Sequence, residues 1–468
     1  MDVKRISKLI IALFLCFSAS AVLDVSVRAA EPVSPKVLDE VRQIIREYYV
    51  EPVNEQILKG TTPQEMVKHL DPYSTYMTAK EYEEFLKSID MEFIGIGIMM
   101  EEDDLGIKVM SVLENGPAAR AGLRAGDIIT EVDGQSVANN AKETALTLIT
   151  GQEGTAVHLK VFRPSTNETF SVSVTREKID WPNVEFTKLA GNIGYIRLYS
   201  FDMNSVRDIE RAIRSLSGVK GWVFDLRDNP GGYVEAAQQI IGFFPNAKYA
   251  FQLRDRSNKP VTYRAVTQPI QMKGPIKVLI NSSSASASEM VAASVKEQQA
   301  AVLYGQRTFG KGSMQEMFEL SDGSMLKLTV ARFFSPKGTP IHNVGVKPNI
   351  TTAVNKELYA AHRDLLLQQL KSYQSFGKLR NAPADKTFTI KFSRPLMNTN
   401  TNGVKLYHIG GQEVPVTVQI HKGTQLLVKP TEKLKKGESY LLVIHPTLKG
   451  KDGVVMRKGA FLEISVAK

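Results

Sequence analysis

The sequence predicts a multidomain α/β and β protein, and three observations carry that expectation. The chain has 468 residues, and a single hydrophobic core serves only about 100–200 of them, so three or four domains are expected. The apolar pattern changes along the chain, from helical spacing to alternation, then to strand–helix repeats, then to short strands. A composition of 43% hydrophobic and 23% charged residues is that of a folded protein without extended disorder.

Residues 1–30 read as a secretory leader. Lys4, Arg5 and Lys8 precede an apolar run from Leu9 to Val22, and Val27-Arg28-Ala29-Ala30 offers small residues for cleavage. The run is short for a membrane span, although an uncleaved anchor is the alternative. The single cysteine, Cys16, lies inside it. A processed chain would therefore hold neither a disulfide nor a thiol nucleophile.

Residues 31–90 read as a helical segment, with Val37, Val41, Ile44, Ile45 and Tyr48 at helical spacing and a break at Asp71-Pro72-Tyr73-Ser74. Residues 91–177 read as a small β-rich module with a short helix after Asn115-Gly116-Pro117 and strands over 157–162 and 170–174. Residues 178–380 alternate strands (193–198, 221–226, 276–280) with helices (206–216, 234–244, 286–298) and end in a linking helix over 358–373. Asn381-Ala382-Pro383-Ala384 reads as a linker. Beyond it, short strands over 388–392, 414–420, 426–428 and 440–444 suggest a β-sandwich.

Two segments of the α/β region carry chemistry. Asn281-Ser282-Ser283-Ser284-Ala285-Ser286-Ala287-Ser288-Glu289 follows a strand and opens a helix. A nucleophile there is exposed next to free backbone N–H groups, which can hold an oxyanion; simple N-capping by serine is the alternative. Phe309-Gly310-Lys311-Gly312-Ser313-Met314-Gln315 sets a lysine between glycines. In an extended segment residues 311, 313 and 315 share a face, so Gln315 could steady the Lys311 amine. A lysine serves as general base when burial lowers its pKa from ~10.4 toward ~7–8. A phosphate loop fails, because Gly312 separates Lys311 from Ser313. The seven histidines show no metal-ligand spacing, no serine elbow Gly-x-Ser-x-Gly occurs, and His342 reads as structural. No metal and no cofactor are expected.

These two segments, with Leu226-Arg227-Asp228-Asn229-Pro230-Gly231-Gly232 and Leu70-Asp71-Pro72-Tyr73-Ser74, resemble the carboxyl-terminal processing (tail-specific) serine proteases over about residues 36–350. The resemblance implies a Ser–Lys endopeptidase with Ser286 as nucleophile, Lys311 as base and Gln315 beside it. It implies an oxyanion hole from the Gly232 and Ala287 N–H groups; a glycine at 232 suits close backbone approach.

The module at 91–177 resembles a PDZ domain, which captures a C-terminal carboxylate and adds the peptide as a strand. Phe93, Gly95, Ile96, Gly97 and Ile98 match its carboxylate loop and binding strand. Relatives often carry Arg where this chain has Thr150, which puts a ligand-sensing switch in doubt. Residues 381–468 resemble bacterial Ig-like domains. They carry most of the formal net charge of +10, which suits an anionic wall polymer or membrane surface and not nucleic acid. The expected protein is secreted or envelope-associated, acts on protein substrates with apolar C-terminal tails, and could pair as a homodimer through its N-terminal helices. The rival reading is a catalytically silent PDZ/Ig-like adaptor at the cell surface.

Overall fold

The computed structural model describes residues 34–89, 92–138, 142–397 and 403–468. The expected leader, residues 1–30, and Cys16 within it lie outside the described residues. Among those described, no helix is long and apolar enough to cross a membrane. The chain divides into two compact units.

One unit holds Tyr76–Asn183 with Glu319–Leu326. Its sheet runs, in spatial order, Ile98–Asp103, Gly106–Val112, Ile128–Val132, Ala156–Arg163 and Glu168–Thr175. Burial alternates along Ala156–Arg163, so Val157, Leu159 and Val161 face a core completed by Ile107, Val109 and Ile129. The helix Lys142–Ile149 closes this core with Ala145 and Ile149. Its C-terminal carbonyls are gathered by Arg176, whose guanidinium donates to Leu148 O and Ile149 O at 2.8 Å each. A cation at that end also meets the negative pole of the helix.

The other unit holds the chain up to Thr75, Val184–Phe318 and Lys327–Lys468. Helix Pro35–Tyr48 starts with Ser34 as N-cap and proline in its first turn, and buries Val37, Val41, Ile44 and Ile45. A six-stranded sheet has the order Val184–Leu189, Ile193–Leu198, Trp222–Asp225, Ile276–Ile280, Val302–Gly305, Ile350–Thr351. Every pairing after the first is parallel. The strands Trp222–Asp225 and Ile276–Ile280 are buried at every position, as expected for a sheet covered on both faces. A second sheet includes Ser313–Glu319, Met325–Phe334 and the hairpin Tyr249–Asp255/Val261–Arg264.

The C-terminal region has a five-stranded and a three-stranded sheet. Phe388, Leu426 and Val428 of the smaller sheet share one apolar core with Leu406, Leu442 and Ile444 of the larger. The expected linker at 381–384 is corrected here. Gln374–Ala382 is a strand that already pairs in parallel with Ala460–Val466, so the region begins directly after helix Glu357–Gln369. Nearly all of that strand is exposed, with Gly377 inside it, and this hides it from a search for alternation.

Candidate active site

The serine segment and the lysine segment meet on one carboxylate. Helix Ala287–Glu297 follows the strand Ile276–Ile280, and Ser286 is its N-cap residue at φ 58°, ψ −114°. A non-glycine residue held there costs about 1–3 kcal/mol, and such strain is kept only where the surroundings enforce it. Glu289, one turn into the helix and fully buried, supplies the enforcement. Its Oε2 accepts from the backbone N–H of Ser286 at 2.9 Å and of Lys311 at 2.8 Å. Its Oε1 accepts from Gly310 N–H at 2.7 Å and from the Thr308 hydroxyl at 2.6 Å. Burial pushes the Glu289 carboxyl up, against the pull of these donors. Phe309 N–H to Ser284 O, at 3.0 Å, makes a further tie between the segments.

The third segment is fixed from Asn229. Its amide donates to Leu198 O and accepts from Gly231 N–H, each at 2.9 Å, while its own carbonyl accepts from Ala285 N–H and the Ser288 hydroxyl. Gly231 lies so close to Ser286 that a Cβ would stand 2.7 Å from Ser286 Cβ and 3.0 Å from Ala287 N. At Gly232 (φ 143°) a Cβ would meet Phe201 O at 2.4 Å, so only glycine fits. Phe201 N–H bonds Gly231 O, and Tyr233 N–H bonds Phe201 O. The alternation of a strand therefore turns the Gly232 N–H away from this bridge. Ala287 N–H belongs to the first helical turn, where no intrahelical acceptor exists.

The Ser286 Oγ is buried and makes no hydrogen bond, although Ser286 and Glu289 stand in the positions of a capping box. Lys311 is 1% exposed. Burial holds its amine well below the usual lysine value; the nearby Lys327 cation adds to this, and the Glu289 and Asp71 carboxylates oppose it. Lys327, buried as well, is pushed down to about 8. The Tyr73 ring centroid lies 5.1 Å from Lys311 Nζ. Gln315 sits on the strand Ser313–Glu319 and donates through Nε2 to Ser313 Oγ at 3.0 Å and Thr329 Oγ1 at 3.1 Å. Its Oε1 is buried without a partner. The expected Gln315 contact to the lysine amine is thus open in this state. Burial lowers the His342 pKa. Among the described residues no cluster of acidic, histidine or cysteine side chains could hold a metal ion.

The expected peptide-binding run divides into three parts. Glu92–Gly95 pairs antiparallel with Glu177–Asp180. The Phe93 side chain lies outside the described residues. Ile96 is 1% exposed and packs in the core. The Ile96 and Gly97 carbonyls accept from Ala118 and Leu113 N–H. Ile98 opens the strand at the edge of the sheet. Thr150 turns its hydroxyl back to Leu146 O at 2.8 Å.

Sequence reasoning passed over Glu289, Thr308, Asn229 and Thr329. Glu289 carried a signal, the acidic residue three positions after a serine N-cap. Asn229 lay within the Leu226–Gly232 run without a role of its own, and the hydroxyls of Thr308 and Thr329 carried no signal.

Residues 192–352 match Peptidase family S41, and residues 94–174 match the PDZ domain. A carboxy-terminal-processing protease of Bartonella bacilliformis is 33% identical over 318 residues, covering 66% of this chain and 73% of its own. The carboxy-terminal processing protease of Bacillus subtilis is 33% identical over 344 residues, 73% of each chain. A solved Bacteroides fragilis protein assigned to the S41 proteases covers 71% of this chain and 96% of its own, with a TM-score of 0.51 and 18% identity, a likeness of fold. A PDZ domain preceding an S41 core, and relatives this close over most of their length, place the chain in the carboxy-terminal processing proteases, serine-type hydrolases of peptidase family S41.

Proposed function

We propose that this protein is a secreted endopeptidase that uses Ser286 as nucleophile and Lys311 as general base, and that its PDZ domain selects protein substrates by their apolar C-terminal tails. The observation that supports the reading is that Glu289 ties the backbone of a buried, easily deprotonated lysine to that of a strained serine whose hydroxyl has no partner. Neutral Lys311 takes the Ser286 proton as Oγ attacks the amide carbonyl. The Gly232 and Ala287 N–H groups receive the oxyanion. Lys311 then returns the proton to the leaving amine, and a water activated the same way hydrolyses the acyl-enzyme.

The PDZ reading assigns the substrate tail to the edge strand that begins at Ile98, where a peptide can add main-chain hydrogen bonds. The C-terminal region is read as an Ig-like module whose basic surface meets anionic envelope polymer. Residues 1–30 are read as the leader that sends the chain out of the cytoplasm.

The test is cleavage of a peptide with an apolar tail by wild type, Ser286→Ala and Lys311→Met, with circular dichroism as the folding control. Both variants should fold and lose turnover. Undiminished cleavage by either one removes the corresponding role. Cell fractionation with and without residues 1–30 tests export: retention of the leaderless chain in the cytoplasm is expected, and equal export of both chains would remove the leader role.

A further inference from the structure

Gln315 is described above as a donor at one end and an open acceptor at the other. An amide side chain can turn end for end, so something must decide which end meets Thr329. The deciding group is Asp71. Its carboxylate can only accept, and it already takes the Tyr73 and Ser74 N–H groups at 2.8 and 3.1 Å and the Ser74 hydroxyl at 2.6 Å. It also accepts from the Thr329 hydroxyl at 3.0 Å. That commits the only proton of Thr329 Oγ1 and leaves its lone pairs toward Gln315. The end of Gln315 that meets Thr329 must then be the donor Nε2, as observed at 3.1 Å. The carbonyl Oε1 is forced to the other side, buried and without a partner. Ser74 Oγ locks the register by accepting from Thr329 N–H at 3.1 Å. The same four-residue turn brings the Tyr73 ring to Lys311 Nζ.

We infer that the Asp71-Pro72-Tyr73-Ser74 turn is a positioning element of the active site: through Thr329 it fixes the direction of the Gln315 amide, so that Oε1 accepts from Lys311 as its amine becomes an ammonium. The inference rests on Lys311 being the general base. It gives a function to an aspartate more than two hundred residues from the lysine in sequence and to a threonine that no motif marks. A carbonyl and an aromatic face both favour the ammonium over the neutral amine. They therefore act when Lys311 takes the serine proton, and burial keeps the amine neutral until then. The charged groups that bear on the amine are Glu289 from the helix, Asp71 from the turn and Lys327 from the neighbouring strand.

The test uses the full chain, a quenched peptide with an apolar tail, and Thr329→Val beside Thr329→Ser. Thr329→Val frees the Gln315 amide to turn. It should lower kcat about tenfold or more, as loss of alignment does, with KM nearly unchanged. Its acid limb should move to lower pH, because the ammonium has lost a partner. Thr329→Ser keeps the hydroxyl and should stay within about twofold of wild type. A wild-type pH profile in Thr329→Val, or equal damage in both variants, overturns the proposal.

A double-mutant cycle covers the case in which Thr329→Val does not fold. Asp71→Asn should lower kcat clearly more in wild type than in a Gln315→Ala background, where only the direct effect of its charge on the amine remains to be lost. Additive losses overturn the proposal. Lys311→Met separates the two readings: activity retained there sinks the base assignment itself, whereas failure of the Thr329 and Asp71 tests with Lys311 still essential sinks only the turn.

Discussion

At the scale of single residues, the site depends on two buried ionisable groups that act in opposite senses. Glu289 gathers four donors from two segments. Glu289→Gln keeps the shape but turns one acceptor oxygen into a donor facing N–H or O–H groups. Each buried polar group left unsatisfied costs about 1–3 kcal/mol. The variant should melt several degrees lower and lose most of its turnover, because Ser286 and Lys311 lose their common anchor. A thermal melt alongside kcat checks this; a drop in kcat without any fall in melting temperature would mean that Glu289 does not hold the fold here. Lys311 is the reverse case. Below about pH 10.4 the unfolded chain binds a proton at this lysine, while the folded chain stays neutral to lower pH because burial lowers its value. Stability therefore drains as pH falls through that window. Lys311→Met removes the loss, so the variant should melt higher than wild type at pH 7 and converge with it above the lysine range. An unchanged or lower melting temperature at pH 7 would contradict the assignment of a desolvated amine.

At the scale of elements, the helix Lys142–Ile149 shows how a distant side chain completes a local structure. Its C-terminal carbonyls at Leu148 and Ile149 are taken by Arg176, which also bonds Ala156 O and Thr155 Oγ1. Arg176→Met leaves those carbonyls without a charged donor at the negative end of the helix. Amide hydrogen exchange over Leu146–Thr150 should speed up, with the strand Ala156–Arg163 changed much less; uniform acceleration across the PDZ domain would show that Arg176 acts on the whole unit instead. Such partners also mark the limit of sequence reading. The helix Pro35–Tyr48 was legible because its buried positions repeat at helical spacing, and the buried strands because they are short apolar runs. The serine and lysine segments were legible as chemistry because small residues and glycines surround a polar group. The strand Gln374–Ala382 was not, since an exposed strand has no apolar face to betray it. Nor were the hydrogen-bonding roles of Asn229 and Thr329, because a hydrogen bond between distant residues leaves no local period in the sequence.

At the scale of the molecule, the C-terminal region is docked on the core rather than tethered to it. Leu366, Leu370 and Ala190 pack with Tyr407, Ile409, Leu441 and Val443 in one apolar cluster. Ala190 N–H bonds Gly411 O at 2.9 Å, and Arg363 forks onto Glu463 with two bonds of 2.8 Å. At the centre of this contact lies His362, fully buried. Its Nδ1 accepts from Gly410 N–H at 2.8 Å, which requires the ring proton on Nε2, and Nε2 in turn donates to Ala190 O at 2.8 Å. The neutral ring thus bridges core and module with both nitrogens. Protonation would place a second N–H on Nδ1 against the Gly410 donor. Burial accordingly pushes the His362 pKa from 6.5 down to about 4. The folded value lies below the unfolded one, so the unfolded chain binds the extra proton first. The contribution is whole above pH 6.5 and is lost as pH falls toward about 4, an effect on the order of 3 kcal/mol. Gln at this position can offer one donor and one acceptor but cannot titrate in that range. Wild type should therefore lose more melting temperature than His362→Gln between pH 7 and about 4.5, and hydrogen exchange at Gly410 and Gly411 should rise first. Parallel stability curves for the two proteins across that interval would show that the docking contact does not sense acid through His362.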